Sequence, residues 1–298
     1  MPSVFIIIVN WNGLIDTIEC IKSISNISYK YIRVVVIDNG SEKDENQELA
    51  VKFPDVITIR SEINLGFAGG SNVGIKYALK NDADYILLIN NDTIVEKDFL
   101  GILVDEIKND RHMGLAVPKI NYYSDPSITW YAGGYFSKLR GAAVTIGQGK
   151  SENLIQENKY VTFATGCCLL IDRKVINDIG LLDEKYFLYL EDADFCLRAV
   201  KAGYKIKSIP HSKILHKVNA SSSARYENLP LYYMTRNRLY FTKKSFPKYF
   251  GYVYAYILIS MTIKSIYWFF KGEKDKILIV KKAFNDFKLN ILGKMKES

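Results

Sequence analysis

Only four cysteines occur in the 298 residues: Cys20, Cys167, Cys168 and Cys196. None forms a Cys-x-x-Cys pair, and the adjacent Cys167 and Cys168 do not suit a mutual bridge. A disulfide scaffold is excluded, and four reduced thiols in a reducing compartment are expected. Histidine is scarcer still, at three residues, so His216 belongs to no histidine cluster. The chain has no P-loop, no Gly-x-Gly-x-x-Gly fingerprint, no internal repeat and no low-complexity segment. No signal peptide is expected, because the first apolar run, Val4 to Val9, is six residues long without a basic flank. A content of 48% hydrophobic and 24% charged residues excludes disorder and collagen. The length suits one large α/β domain, or one domain plus an appendage.

What is present is unevenly placed. Residues 223–298 hold 15 Lys and Arg against 5 Asp and Glu, while the preceding 222 hold 25 against 27. The net charge of +8 therefore comes from the last quarter, which also has 17 of the 39 aromatic residues. A basic, aromatic tail on a slightly acidic body implies two parts that face different partners. A boundary is expected near Ala220-Ser221-Ser222-Ser223, giving units 1–222 and 223–298.

The first half alternates short β-branched runs with helix-length segments. Strands are expected at 4–9, 32–38, 56–60, 85–90 and 114–118, and helices near 13–25, 42–51, 71–81 and 98–109. This alternation predicts a mostly parallel, doubly wound sheet covered on both faces. Residues 120–160 read as loop-rich, with a hairpin around Trp130 to Phe136. A strand over 163–172, a helix over 191–202 and a short strand over 205–209 follow. Ligands of such sheets bind beyond the carboxyl ends of the strands. Those ends read Asn10-Trp11-Asn12-Gly13, Asp38-Asn39-Gly40-Ser41 and Asn90-Asn91-Asp92.

Each polar position has two readings. Asp38 suits an Asx-type turn or a carboxylate accepting the N3–H of a pyrimidine base. The stretch Asn64 to Asn72 is an ordinary loop, or a glycine-rich approach for phosphate to a helix N-terminus. Asp92 caps the next segment, or binds a divalent cation bridging a diphosphate. Glu191 and Asp192 are first-turn acids favoured by the helix dipole. Emerging from the aromatic run Tyr186 to Leu190, they are also candidates for a raised pKa and general-base work. His216 is structural, unless the fold brings it to Asp92.

The whole series resembles glycosyltransferase family 2. It is carried by Val9 to Gly13, Val36 to Ser41, Asn64 to Gly70 and Asn90 to Asp92, then Phe187 to Arg198, Gly203-Tyr204, Pro210 and His216. It is similar to the rhamnosyltransferases and galactofuranosyltransferases of polysaccharide assembly, over about residues 3–220. The resemblance implies a GT-A fold and inverting transfer of a sugar, rhamnose for example, from a dTDP- or UDP-sugar to a glycan or polyprenyl-diphosphate-linked hydroxyl. Asp38, with Asn10, Asn12, Asn64, Gly70 and Asn91, would then bind the nucleotide. Asp92 matches the last acid of the family's metal motif, whose first acid is here Asn90. It would hold Mg²⁺ or Mn²⁺ together with His216. Asp192 matches the general base and Glu191 an acceptor-contacting acid, with Trp130 and Gly166 on the acceptor side. A catalytically silent nucleotide-sugar-binding or glycan-binding subunit is the alternative.

Phe250 to Phe270 is a 21-residue run with one charge, Lys264. It is flanked by Lys243, Lys244 and Lys248 before and Lys271, Lys274 and Lys276 after. The readings are a helix lying on an anionic membrane face, a single span, or a helix buried against the catalytic domain, with the first preferred. Arg236 and Arg238 would then meet lipid or acceptor phosphates. The expected location is cytoplasmic, peripheral on the inner face of the cell membrane. No nucleic-acid-binding motif accompanies the basic residues, and no nucleic acid partner is expected.

Overall fold

The structure is a computed structural model that describes residues 1–218 and 228–296. The expected boundary at 220–223 lies outside the described residues. The apolar run at the start becomes β1 (Val4–Asn10), with Ile6 and Ile8 fully buried. Parallel to it on one side runs β2 (Ile32–Asn39), followed outward by β3 (Ile57–Ser61), and on the other side lies β4 (Tyr85–Asn90). The connecting helices are α1 (Leu14–Ser25), α2 (Glu45–Lys52) and α3 (Gly66–Lys80). Strands buried on both faces carry near-continuous apolar runs, as β1, β2 and β4 do, whereas β3 at the sheet edge is half-buried and alternates Ile57 and Ile59 with polar residues.

The sheet then departs from a purely parallel pattern. After the short β5 (Thr93–Val95) and α4 (Phe99–Asn109), the long β6 (Met113–Tyr122) runs beside β11 (Cys168–Asp172). Strand β11 is antiparallel to both β4 and β6 and fills the gap between them. On the far side of β6 lies β12 (Lys205–His216), parallel to it and edged by the antiparallel β10 (Lys159–Val161). The order is β10-β12-β6-β11-β4-β1-β2-β3, with β5 pairing β12 and β7 (Thr129–Tyr131) pairing β6. Helices α5 (Arg173–Ile179) and α6 (Glu191–Lys201) link β11 to β12.

Four expectations need correction. Helix α3 begins at Gly66, five residues before the expected start. Its glycines let it lie close on the sheet: a Cβ at Gly70 would meet Val9 and Asn39, and one at Gly74 would overlap Ile7. The hairpin around Trp130 to Phe136 is absent. Gly133 (φ +101°) breaks the chain, so β7 pairs β6 while β8 (Gly134–Ser137) pairs β9 (Ala142–Thr145). The strand expected from residue 163 starts only at Cys168, because preceding amides turn to α6: Ala164 N–H donates to Cys196 Sγ and Gly166 N–H to Asp192 Oδ2. Strand β12 does not stop at Ile209 but shifts register beyond it and continues to His216.

The tail forms α7 (Leu229–Ser245), α8 (Phe250–Phe270) and α9 (Lys274–Lys288). Phe241 of α7, together with Phe246 beyond it, joins the sheet's own apolar core, so α7 is anchored on the body. Helix α8 matches the expected run and is not buried: Val253 and Ile257 are its only buried residues. It is long and apolar enough to cross a membrane, with 11% of its apolar window buried. Arg236 cannot meet lipid phosphates, because it is 0% exposed. The Arg238 guanidinium donates to Arg140 O and lies over the Tyr256 ring. Lys244 is likewise engaged, paired with Asp183 and Asp194 at 2.8 and 2.7 Å.

Candidate active site

Strand register assembles one edge of the site. Asn10 pairs with Asp38, Asp38 with Arg60, and Val9 with Asn90, so the carboxyl ends of β1, β2 and β4 line up. Strand β12 ends at the same edge because it runs parallel to β6, which β11 leaves parallel to β4. The antiparallel β5–β12 pair puts His216 opposite Thr93, and hence beside Asp92.

Asp92 and His216, 124 positions apart in the sequence, thus meet. His216 Nε2 lies 3.1 Å from Asp92 Oδ1, and both residues are buried. Asp92 Oδ1 and His216 Nδ1 have no hydrogen-bond partner. The Trp130 ring packs edge-on against the imidazole, centroids 4.5 Å apart, which places Trp130 at this site. Among the described residues, no group of three or more His, Cys, Asp and Glu side chains converges on one point. The protein side therefore offers one carboxylate oxygen and one imidazole nitrogen, buried and close enough to share a cation. That set would fit a divalent ion that took its remaining ligands from phosphate oxygens and water.

Asp192 approaches from α6. Its Oδ2 accepts the Gly166 N–H at 2.9 Å and its Oδ1 the Ala193 N–H at 2.7 Å. Two residues on from Gly166, the chain enters β11, and Asn90 N–H donates to Cys167 O. Residues 166–167 therefore link Asp192 to Asn90 at the end of β4. Burial raises the Asp192 pKa, against the backbone N–H groups of Gly166, Ala193 and Asp192 itself, which lower it. Glu191 is 5% exposed, and its Oε2 has no hydrogen-bond partner. Burial first, then the neighbouring Asp192 charge, push the Glu191 carboxyl well above its ordinary value. Two adjacent acids with raised pKa values, in a wall of Tyr186, Phe187 and Leu190, suit proton transfer better than salt bridging.

The other expected site residues behave differently. Asp38 is 0% exposed: its Oδ2 pairs with Arg60 Nη1 at 2.5 Å and its Oδ1 accepts the Ser41 N–H. Contact with a base requires Arg60 to move aside. Arg60 went unnoticed in the sequence, although the pairing of β2 with β3 places it directly opposite Asp38. Asn10 is also fully buried and ties strand to helices, accepting from Thr17 and donating to Glu45. Gly70 is a packing position under α3 rather than a phosphate cradle, as its overlap with Val9 shows. Asn64 Oδ1 accepts the Gly66 N–H and the Asn39 amide, which fixes the turn into α3. Asn12 is exposed, in a left-handed conformation (φ +51°), and accepts the Glu42 N–H. Asn91 is half-buried and donates to Thr17 Oγ1 at 3.0 Å. Of the nucleotide set, Asn12, Asn64 and Asn91 retain surface beyond the strand ends.

Residues 5–180 match the model of Glycosyl transferase family 2. The low-salt glycan biosynthesis hexosyltransferase Agl10 of Haloferax volcanii is 27% identical over 82% of this chain and 76% of its own length. The dTDP-rhamnosyl transferase RfbF of Shigella flexneri is 25% identical over 82% and 81%. An N-acetylglucosaminyl-diphospho-decaprenol L-rhamnosyltransferase of Mycobacterium tuberculosis is 26% identical over 66% and 70%. Two solved structures share the fold. GalNAc-T7, crystallised with UDP, GalNAc and Mn²⁺, has a TM-score of 0.61 at 18% identity, over 79% of this chain and about half (48%) of its own. The mannosyltransferase PcManGT of Pyrobaculum calidifontis, with GDP-Man and Mn²⁺, has a TM-score of 0.58 at 12% identity, over 97% and 88%. The fold is GT-A: a mixed, mostly parallel sheet flanked by helices.

Proposed function

The chain belongs to glycosyl transferase family 2, and from that premise we propose an inverting transfer of a sugar from a nucleoside diphosphate to an acceptor hydroxyl. The donor is a dTDP- or UDP-sugar, rhamnose being the first to test, in keeping with the rhamnosyl relative. The acceptor is a glycan, free or carried on a polyprenyl diphosphate. One observation carries the reading: Asp192 accepts the Gly166 N–H, and the next residue, Cys167, accepts the N–H of Asn90, two positions before Asp92, which pairs with His216.

Each residue has a defined task in this reading. Asp192, held by the Gly166 N–H, takes the acceptor proton as the hydroxyl attacks the anomeric carbon from the side opposite the leaving group. Such a base contributes ~10²–10⁴-fold in typical cases. Glu191, whose carboxyl is pushed well above its ordinary pKa by burial, is the donor to an acceptor oxygen in this reading, and Trp130 forms the neighbouring wall. Asp92 and His216 would hold Mg²⁺ or Mn²⁺. A cation bound there would supply positive charge against the charge that develops on the departing diphosphate. Because the protein offers two ligands, cation and donor are expected to bind cooperatively. No covalent intermediate is required, so one positioned base suffices.

Residues 1–222 form the catalytic unit in this proposal, and 223–298 attach it to the inner face of the cell membrane from the cytoplasm. Helix α8 supports this with an exposed set that includes Tyr252, Ile259, Ile263, Tyr267 and Phe270. Exposed Lys248, Lys264 and Lys271 add positive charge beside it. Aromatic and basic residues on one surface helix suit an anionic lipid interface.

The test is thermal unfolding in detergent against UDP-, dTDP-, GDP- and ADP-sugars, with and without Mn²⁺, for wild type and Asp92→Ala. A ligand at ~100 times its dissociation constant adds ~2.7 kcal/mol. A Mn²⁺-dependent shift with one pyrimidine donor, lost in Asp92→Ala, is expected. No shift with any nucleotide would favour the glycan-binding form of the silent-subunit alternative.

A further inference from the structure

The turn that delivers the two acids is strained. Phe187, Tyr189 and Leu190 all have positive φ, at 64°, 67° and 74°. Bulky residues rarely adopt this region, so the surrounding structure must enforce it. The enforcing groups come from α7. The two hydrogens of Asn237 Nδ2 are shared among Tyr186 O at 2.9 Å, Leu188 O at 2.8 Å and Tyr189 O at 2.9 Å. Its Oδ1 accepts from Arg236 Nε and Nη2 at 3.0 and 2.9 Å. Arginine has no acceptor, so the amide can be oriented in only one way.

Arg236 is itself fully buried and reaches in two directions. Its Nη2 donates to Tyr186 O at 3.2 Å, and its Nη1 to Gly293 O at 2.7 Å and Tyr232 Oη at 3.3 Å. The guanidinium carbon lies 5.1 Å from the ring centroids of both Tyr232 and Tyr233. Tyr233 stacks on Phe187, centroids 5.3 Å apart. Tyr232 donates to Asp286 of α9 at 2.6 Å. The Gly293 N–H returns to Lys185 O. The buried pair thus sends four hydrogen bonds to the carbonyls of Tyr186, Leu188 and Tyr189, in the stretch that leads into Glu191.

We propose that Arg236 and Asn237 are positioning residues: they hold the 186–190 turn in its left-handed form and so aim Asp192 at the acceptor hydroxyl. This rests on the reading of Asp192 as the base. The tail is then part of the catalytic unit as well as an attachment device, because the helix that braces the turn is packed on α8 and α9. A purely structural anchor would lower stability and leave the turnover of folded enzyme unchanged. A positioning pair lowers kcat and leaves donor binding at Asp92 and His216 intact.

The sharp variant is Asn237→Asp. It keeps the shape and the Arg236 partner, but turns an acceptor toward three carbonyls. Full-length enzyme in detergent is assayed with Mn²⁺ and the dTDP- or UDP-sugar that shifts the wild type, using octyl glycosides as acceptor probes. The expected result is a kcat at least ~tenfold lower, since small misplacements of reacting groups cost up to ~10²-fold. The donor-induced midpoint shift should be unchanged, and amide hydrogen exchange should quicken within 187–194 alone. Wild-type kcat with wild-type exchange in that segment overturns the proposal. Asn237→Ala, which removes the donor without repulsion, is read the same way if Asn237→Asp does not fold. Loss of protection throughout the sheet, with kcat tracking the folded fraction, also overturns it. Asp192→Asn runs alongside: if it retains transfer, the base assignment fails, and exchange in 187–194 alone decides whether the brace holds the turn.

Discussion

Replacing Asp192 by Asn separates its two jobs, accepting a proton and accepting backbone hydrogen bonds. The wild-type carboxylate takes the Gly166 N–H on one oxygen and the Ala193 N–H on the other. An amide has one oxygen, so one of these donors faces an NH₂ group. Losing a hydrogen bond to a charged acceptor costs about 1.5–3 kcal/mol. For a chain of this size that lowers the midpoint by roughly 3–12 °C, partly offset because a buried charge is also removed. The catalytic loss is larger: a base worth ~10²–10⁴-fold corresponds to about 2.7–5.4 kcal/mol of barrier. Donor release to an octyl glycoside or to water should therefore fall by two to four orders of magnitude (~10²–10⁴), while the Mn²⁺-dependent donor shift persists. The pH profile supplies a second signature. Burial raises the Asp192 pKa, so wild-type kcat/KM should fall on acidification at a pH above the ordinary carboxylate range, about 3.9 for Asp. That limb should vanish from the residual rate of the variant. Retention of more than a tenth of kcat, or an unchanged acid limb, would refute the assignment.

Glu191→Gln tests the neighbouring acid through stability. Burial holds the Glu191 pKa well above its ordinary value, so the folded protein keeps a proton that the unfolded chain loses above about pH 4.3. The associated stability is complete below that pH and is lost as pH rises through the folded value. The variant's midpoint should match wild type near pH 4 and exceed it increasingly at higher pH; a gap that does not change with pH would contradict this. His216→Ala is expected to abolish the Mn²⁺ dependence of the donor-induced shift, because a single carboxylate remains; calorimetric Mn²⁺ titration in the presence of donor checks it. Gly74→Ala should push α3 off β1, since its Cβ overlaps Ile7. Overpacking of about 1–3 kcal/mol predicts a midpoint lower by roughly 2–12 °C, read by differential scanning calorimetry.

The buried parallel strands were legible because each is a β-branched run that no helix could use, and their polar C-terminal residues marked the active edge. Asp92 and His216 were legible only as candidates. Nothing local in Lys213 to Lys217 says that β12 extends past Ile209, and the β5–β12 register alone makes the two residues neighbours. Spacing misled where glycines were concerned. The run at 66–74 looks the same whether it admits a phosphate or a strand, and here Ile7 and Val9 occupy the space. Charge misled in the tail for a related reason. Arg236 and Lys244 were counted with the basic surface, yet Arg236 serves backbone carbonyls and Lys244 serves Asp183 and Asp194. A cation in a sequence has no sign of whether its partner is a lipid phosphate or an oxygen of its own chain. The difference lies in which element folds over it. The positive φ of Phe187, Tyr189 and Leu190 has its hydrogen-bond support in α7, and the buried Arg236 and Asn237 of α7 have acceptors in the carbonyls of Tyr186, Leu188 and Tyr189. Each segment explains an oddity of the other, across about fifty residues of sequence, so neither was visible alone.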